Sequence, residues 1–235
     1  MQKPWKVSSR SNARYSPSKQ STARFIRCGA SVIYLFALPF IAYHFFKSYN
    51  ISYDYFKGEF MNYNSENYKE FYSIISDMDK HPAVQEMKKY RQHCDSSCYE
   101  HCLSVAYYSF CICKKLHLDS KSMARAAFVH DLFLYDWRVR QPGRKGLHAF
   151  THPKTSYEKA SNLFSFNKKE RDIILKHMWP VTIIPPKYIE SYILTLVDKY
   201  CVLEETNKYL LKKIYDKKIY RFATFILPIL LVHIP

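Results

Sequence analysis

The sequence predicts an all-α protein, and three observations lead there. Apolar residues make up 48% of the 235 positions, aromatic residues 17%, and only four glycines are present, a composition that suits packed helices better than a glycine-turned β protein. From about residue 66 onward apolar positions recur at spacings of three and four, with no alternating strand pattern and no internal repeat. Helix start signals, including a complete capping box, recur between these runs.

Taken in order, residues 1–23 are polar, basic and rich in serine, and are expected to be disordered. Residues 24–47 contain CGASVIYLFALPFIAYHFF, 19 positions (28–46) with no formal charge, long enough for a single, marginal N-terminal membrane helix or a membrane-surface helix kinked at Pro39. Residues 48–83 read as a linker and a leading helix. Segment 84–93 reads as a short helix. The stretch CYEHCLSVAYYSFCICKKLHL places His101, Val105, Tyr108, Ile112 and Leu116 on one helical face. The next helix begins near Asp119 or Ser120 as N-cap and is expected to carry His130 and Asp131 in AAFVHDLFLYDW. Residues 141–146 are a loop. Pro153 is expected in the first turn of a helix with His152 at its N-terminus. Asn167 and Glu170 form a capping box for a helix that contains His177 and ends at Trp179-Pro180. After Pro185-Pro186 a long helix carries Asp198. Residues 84–207 are expected to form the main domain. Residues 208–235 are read as a basic helix followed by FATFILPILLVHIP, too short to expect a span.

The net charge of +16 invites a nucleic-acid reading, but its placement favours a membrane surface. Seven basic residues and no acid lie in 1–27, leaving 29 basic against 20 acidic residues, or +9, for the rest. A second cluster (Lys208, Lys212, Lys213, Lys217, Lys218, Arg221) borders the apolar C-terminal run. No recognisable nucleic-acid motif is present, so no specific nucleic-acid partner is expected. The positive-inside rule conflicts with a cytoplasmic domain after a single span. Translation from Met61 would resolve it, since Lys57-Gly58-Glu59 can be encoded by a ribosome-binding sequence; other codons in the gene would remove that hypothesis. Seven cysteines, mostly on apolar helical segments, point to reduced buried thiols in a cytoplasmic domain, and the uncharged segment 28–46 is the candidate for its attachment to a membrane.

A buried imidazole and a buried carboxylate are each costly without partners, so the His130-Asp131 pair asks for one. Five segments each supply ligand-type side chains: His101, His130 with Asp131, His152, His177 and Asp198. Four histidines and two aspartates suit a divalent ion such as iron, manganese or zinc, and six exceed what one catalytic ion usually takes, which admits two ions. A structural zinc site from His93, Cys94, Cys98, His101 and Cys102 is the competing arrangement, although no second cysteine pair stands at finger spacing. His148 is the nearest alternative to His152. His44, His81, His117 and His233 read as bystanders, and Trp137 and Trp179 as core or rim of a cleft.

In sequence, residues 98–206 resemble the HD-domain phosphohydrolase family, whose pattern is a His, an adjacent His-Asp and a distal Asp. Here these are His101 in YEHCLSVA, His130-Asp131 in AAFVHDLFL and Asp198 in TLVDKYC; His152 in FTHPKTSYEKA and His177 in ILKHMWP fit the subgroup with two extra histidines, which resembles dinuclear members. The HD-GYP signature is absent. The resemblance implies an HD-domain helical bundle and hydrolysis of a phosphoester or phosphoanhydride by a metal-activated water. The expected substrate is small, phosphorylated and nucleotide-like. It also implies one ion on His101, His130, Asp131 and Asp198 and a second on His152, His177 and a bridging Asp131. Lys154 and Lys199, beside ligands, are the expected catalytic cations that offset phosphate charge. The alternative is a membrane-associated HD-fold sensor that binds without turnover. The oligomeric state and the choice of metal are not legible.

Overall fold

The computed structural model describes residues 65–139 and 146–216. Within them lie seven α-helices: α1 (Glu66–Asp79), α2 (Pro82–Glu86), α3 (Cys98–Lys115), α4 (Ser120–Phe128), α5 (His148–Ser161), α6 (Lys168–Lys176) and α7 (Ile189–Asp216). Among the described residues there is no strand, only one isolated bridge between Arg91 and Ser97. The expected all-α class stands. The segment 28–46 and the run 222–235 lie outside the described residues, and among those described no helix is long and apolar enough to cross a membrane.

Helix α3 is the central element because its sequence is apolar on nearly every side, from Cys98 through Val105, Tyr107 and Phe110 to Cys113. A capping box starts it: the Ser97 hydroxyl accepts from the Glu100 N–H, and the Glu100 carboxylate accepts from the Ser97 N–H. Around it pack α1, α4 and α7. The expected leading helix, α1, is part of this core, burying Phe71, Ile75 and Met78, with the Phe71 ring against Tyr107 and Phe110. The expected break at residue 207 falls inside α7, which continues to Asp216.

The capping box at Asn167 and Glu170 forms, and both residues also tie α6 to α4. Asn167 donates to the Ser122 hydroxyl at 2.9 Å, and the Arg125 guanidinium donates to Glu170 at 3.1 Å. Six cysteines in the described region are free thiols, five of them buried.

Four local expectations are corrected. Segment 84–93 is not one helix: α2 ends at Glu86, a 3₁₀ turn covers Met87–Lys89, and Tyr90 is extended. His130 and Asp131 are not helical, because α4 stops at Phe128. The His130 Nδ1–H donates to the Ala127 carbonyl at 2.8 Å, occupying an acceptor that a continuing helix would use. Pro153 lies inside α5 rather than in its first turn, since the helix already begins at His148. His177 is the C-cap of α6 rather than an interior residue.

Candidate metal centre

Five helices, two of them through their C-terminal ends, bring side chains to one buried cluster. His101 comes from α3, His130 and Asp131 from the turn after α4, His152 from α5, His177 from the end of α6 and Asp198 from α7. All six are buried, none more than 5% exposed. Two groups of ligand atoms fall close enough to hold an ion: His101, His130 and Asp198, and His130, Asp131 and His177. His130 is common to both. His152 adjoins the second group, its Nε2 3.3 Å from Asp131 Oδ1.

The turn after α4 explains how adjacent residues can serve one centre. On a helix His130 and Asp131 would diverge by about 100°. Released from helical geometry, the His130 Nε2 and Asp131 Oδ2 come within 3.6 Å. The Cys98 thiol donates to the Asp131 carbonyl at 3.2 Å and anchors the turn to α3.

Hydrogen bonding fixes which ring nitrogens face the centre. The Nδ1–H groups of His130, His152 and His177 donate to the carbonyls of Ala127, His148 and Ile174 at 2.8, 2.8 and 2.7 Å. A neutral imidazole has one N–H, so in His152 and His177, both held neutral, each Nε2 is then a bare acceptor. The Nε2 atoms of His152 and His177 lie 2.8 Å apart, lone pair toward lone pair. His177 Nε2 is also 3.6 Å from Asp131 Oδ1. His130 Nε2 and Asp131 Oδ1 are buried without a hydrogen-bond partner. Such a set of converging acceptors is stable only around positive charge, which a divalent cation bound by these nitrogen and oxygen lone pairs would supply.

Two residues outside the expected set hold the cluster from behind. The His101 Nδ1–H donates to Glu205 at 2.9 Å while its Nε2 stands 3.1 Å from Asp198. The Gln92 amide donates to Asp131 Oδ2. Since a carboxylate accepts only, this bond identifies the Gln92 nitrogen, and its Oε1 is left buried without a partner. Neither contact has a local signal, because they join residues 104 and 39 positions apart. The His93 ring packs edge-on against His101 at 5.1 Å, and burial pushes its pKa down to about 3. A flat wall leads outward from His152: His148 stacks on it at 4.5 Å, and Trp137 stacks on His148 at 5.4 Å.

Of the two expected catalytic lysines, the structure brings only Lys199 to the cluster. Its ammonium pairs with Asp198 Oδ2 and lies 3.6 Å from the Met178 sulfur. Lys154 is corrected: one position after Pro153 it points away from the face of α5 that carries His148 and His152, its side chain 78% exposed beside Glu158. The cysteine zinc arrangement does not assemble either. Neither candidate ligand group includes a cysteine, and burial keeps the Cys98 and Cys102 thiols protonated. His81 caps α2 by accepting from the Ala83 N–H, as a bystander would.

The electrostatics divide the cluster. Burial disfavours the imidazolium of His101, but the carboxylates of Glu205 and Asp198 outweigh it and hold its pKa well above the ordinary range. His130 follows the same pattern: burial lowers it, and the Cys102 sulfur, Asp131 and Asp198 raise it further. Because the Cys102 thiol is protonated, the carboxylates carry that effect. His177 is pushed well down by burial and by the neighbouring His152 and His130, and His152 down by burial. Asp198 and Asp131 resist their own burial because Lys199 and His101 hold the first ionised and His130 the second.

A family model described as the HD domain matches residues 98–203, from the start of α3 into the middle of α7. All six clustered residues fall inside that stretch, whereas Gln92 and Glu205 flank it. No curated protein and no solved structure matches the chain.

Proposed function

We propose, from the premise that residues 98–203 are an HD domain, that the chain is a metal-dependent phosphohydrolase. Its substrate would be a phosphoester or phosphoanhydride of nucleotide-like character. The observation that carries the reading is the 2.8 Å approach of two bare imidazole nitrogens beside an unpartnered aspartate oxygen, an acceptor set that calls for cations. His101, His130, Asp131 and Asp198 would hold one divalent ion, and His152 and His177 a second with Asp131 shared. Bound there, such ions supply Lewis acidity toward a phosphoryl oxygen and make water a nucleophile at neutral pH.

The chain's own residues provide the rest. Backbone carbonyls lock the tautomers of His130, His152 and His177, and Glu205 does the same for His101. The Gln92 amide keeps Asp131 turned toward the histidines. Lys199 stands at the rim as a cation that offsets phosphate charge. The Trp137–His148 stack supports a substrate with a flat base, and the uncharged segment 28–46 supports membrane attachment.

Metal analysis of anaerobically purified full-length protein, paired with phosphate release over a nucleotide panel, tests the reading. Close to two iron or manganese ions per chain and turnover of at least one nucleotide are expected. A folded protein that neither binds a divalent ion nor releases phosphate would leave the sensor alternative in its place.

Glu205→Ala should weaken metal binding about 10–100-fold, the usual effect of removing a carboxylate behind a ligating histidine. Glu205→Gln, which retains an acceptor for the His101 N–H, should recover part of it. Competition titration against a chelator measures both, and an unchanged affinity in Glu205→Ala would remove Glu205 from the centre.

A further inference from the structure

The loop between α6 and α7 carries an exposed apolar tip whose construction has no use in the core. Ile183 is 93% and Ile184 66% exposed, and Pro185 beside them is exposed as well. Single exposed apolar residues are ordinary, but an adjacent pair at the summit of a braced loop is not explained that way. Both ends of the loop are tied down. Asp172 Oδ2 accepts from the Lys187 N–H at 2.9 Å and the Ser191 hydroxyl at 2.7 Å, and the Thr182 N–H donates to the Met178 carbonyl at 3.1 Å. Pro180, Pro185 and Pro186 restrict the backbone between these anchors. The tip is therefore presented, at little further cost in conformational entropy, rather than collapsed.

Its surroundings match one kind of partner. Trp179 and Tyr188 bracket the tip, the side chains that favour the boundary between hydrocarbon and water. Lys176 and Lys187 flank it, and no Asp or Glu occurs between Asp172 and Glu190. Apolar tip, interfacial aromatics and flanking cations together complement an anionic bilayer surface. The same combination of apolar residues and basic flanks recurs in the sequence at 28–46 and 222–235. The loop leaves directly from His177, so docking through it would bring the cluster to the lipid headgroups.

We infer that the loop 178–188 inserts Ile183 and Ile184 into the outer layer of an anionic membrane. The inference is independent of turnover. The experiment uses the full chain with Trp5→Phe and Trp137→Phe, leaving Trp179 as reporter, mixed with phosphatidylcholine–phosphatidylglycerol vesicles whose acyl chains are brominated. Trp179 fluorescence should be quenched, most by bromines near the glycerol. The double substitution I183D/I184D should abolish the quenching and lower vesicle partition at least about tenfold, less than full burial of two isoleucines would give. An unchanged melting temperature is expected, and Ile183→Ser with Ile184→Ser serves as a second variant if the aspartates disturb folding. Unquenched Trp179 on a chain that still sediments with vesicles would overturn the inference, as would failure to sediment at all. A concentration-dependent dimer broken by the same substitutions, without a vesicle effect, would assign the tip to a second copy instead.

Discussion

Asp131→Asn should abolish metal binding and phosphate release while leaving a protein at least as well folded as the metal-free wild type. The reason lies in what surrounds the carboxylate. Asp131 Oδ2 receives the Gln92 amide, and Oδ1 faces the bare Nε2 atoms of His152 and His177 at 3.3 and 3.6 Å. In the variant the asparagine oxygen can accept from Gln92, turning its NH₂ toward the two imidazoles. Two donors then meet two acceptors that otherwise require a cation. The substitution thus replaces ion binding by hydrogen bonding at nearly constant volume. Turnover should fall by at least about 10²–10³-fold, the scale for losing one transition-state stabiliser, and metal per chain should fall with it. Asp131→Ala removes metal as well but leaves the Gln92 amide and two histidines unpaired in a buried site, so its melting temperature should drop. Element analysis, phosphate assay and thermal melts on the two variants read all three quantities. Asp131→Asn retaining its metal and turnover within about tenfold of wild type would end the view that Asp131 is central.

Much of this architecture could be read from local pattern, and the exceptions share a cause. The spacing of apolar residues gave the helices around Val105 and Phe110, and a three-residue signal placed the capping box at Asn167 and Glu170. Both depend on neighbours within one or two turns. The end of α4 before His130 does not, because AAFVHDLFL contains no breaker. What stops it is a side chain returning to the Ala127 carbonyl, together with the pull of the Cys98 thiol on the Asp131 carbonyl from another helix. Gln92 and Glu205 were invisible for the same reason, since each acts across a distance that only packing closes. Lys154 failed in the opposite way. Nearness to His152 in sequence suggested proximity to the site, but on a helix a residue two positions on turns about 200° away. The six clustered residues were legible as a set because their chemistry is unusual on apolar segments, whereas their division into two overlapping candidate ligand groups, with His130 in both, depends on how the helices pack.

Metal affinity should climb steeply with pH, and the climb should come from one side of the cluster. Ligation needs neutral imidazoles and ionised carboxylates. Asp131 and Asp198 have depressed pKa values and His152 and His177 have lowered ones, so these four are ready at neutral pH and release no proton on loading. His101 and His130 are held above their ordinary value by neighbouring carboxylates and must each give up a proton. Below the raised pKa values, log K should therefore rise by one for each proton displaced, or by one to two per pH unit. Between pH 6 and pH 8 this amounts to a change of about 10²–10⁴-fold. The metal-free protein should behave in the opposite sense. Raised histidine pKa values contribute stability that is fully present below the unfolded value near 6.5 and lost as pH rises through the folded values. The stabilisation produced by adding metal should consequently widen as pH increases. Titration calorimetry in buffers of different ionisation enthalpy counts the protons directly. Release of one to two protons per chain, reduced when Glu205→Gln lowers the pull on His101, would place the displaced protons on the His101–Asp198 side. Binding that is flat in pH and releases no proton would show that His101 and His130 are already neutral, and that the carboxylates behind them do not set the affinity of the centre.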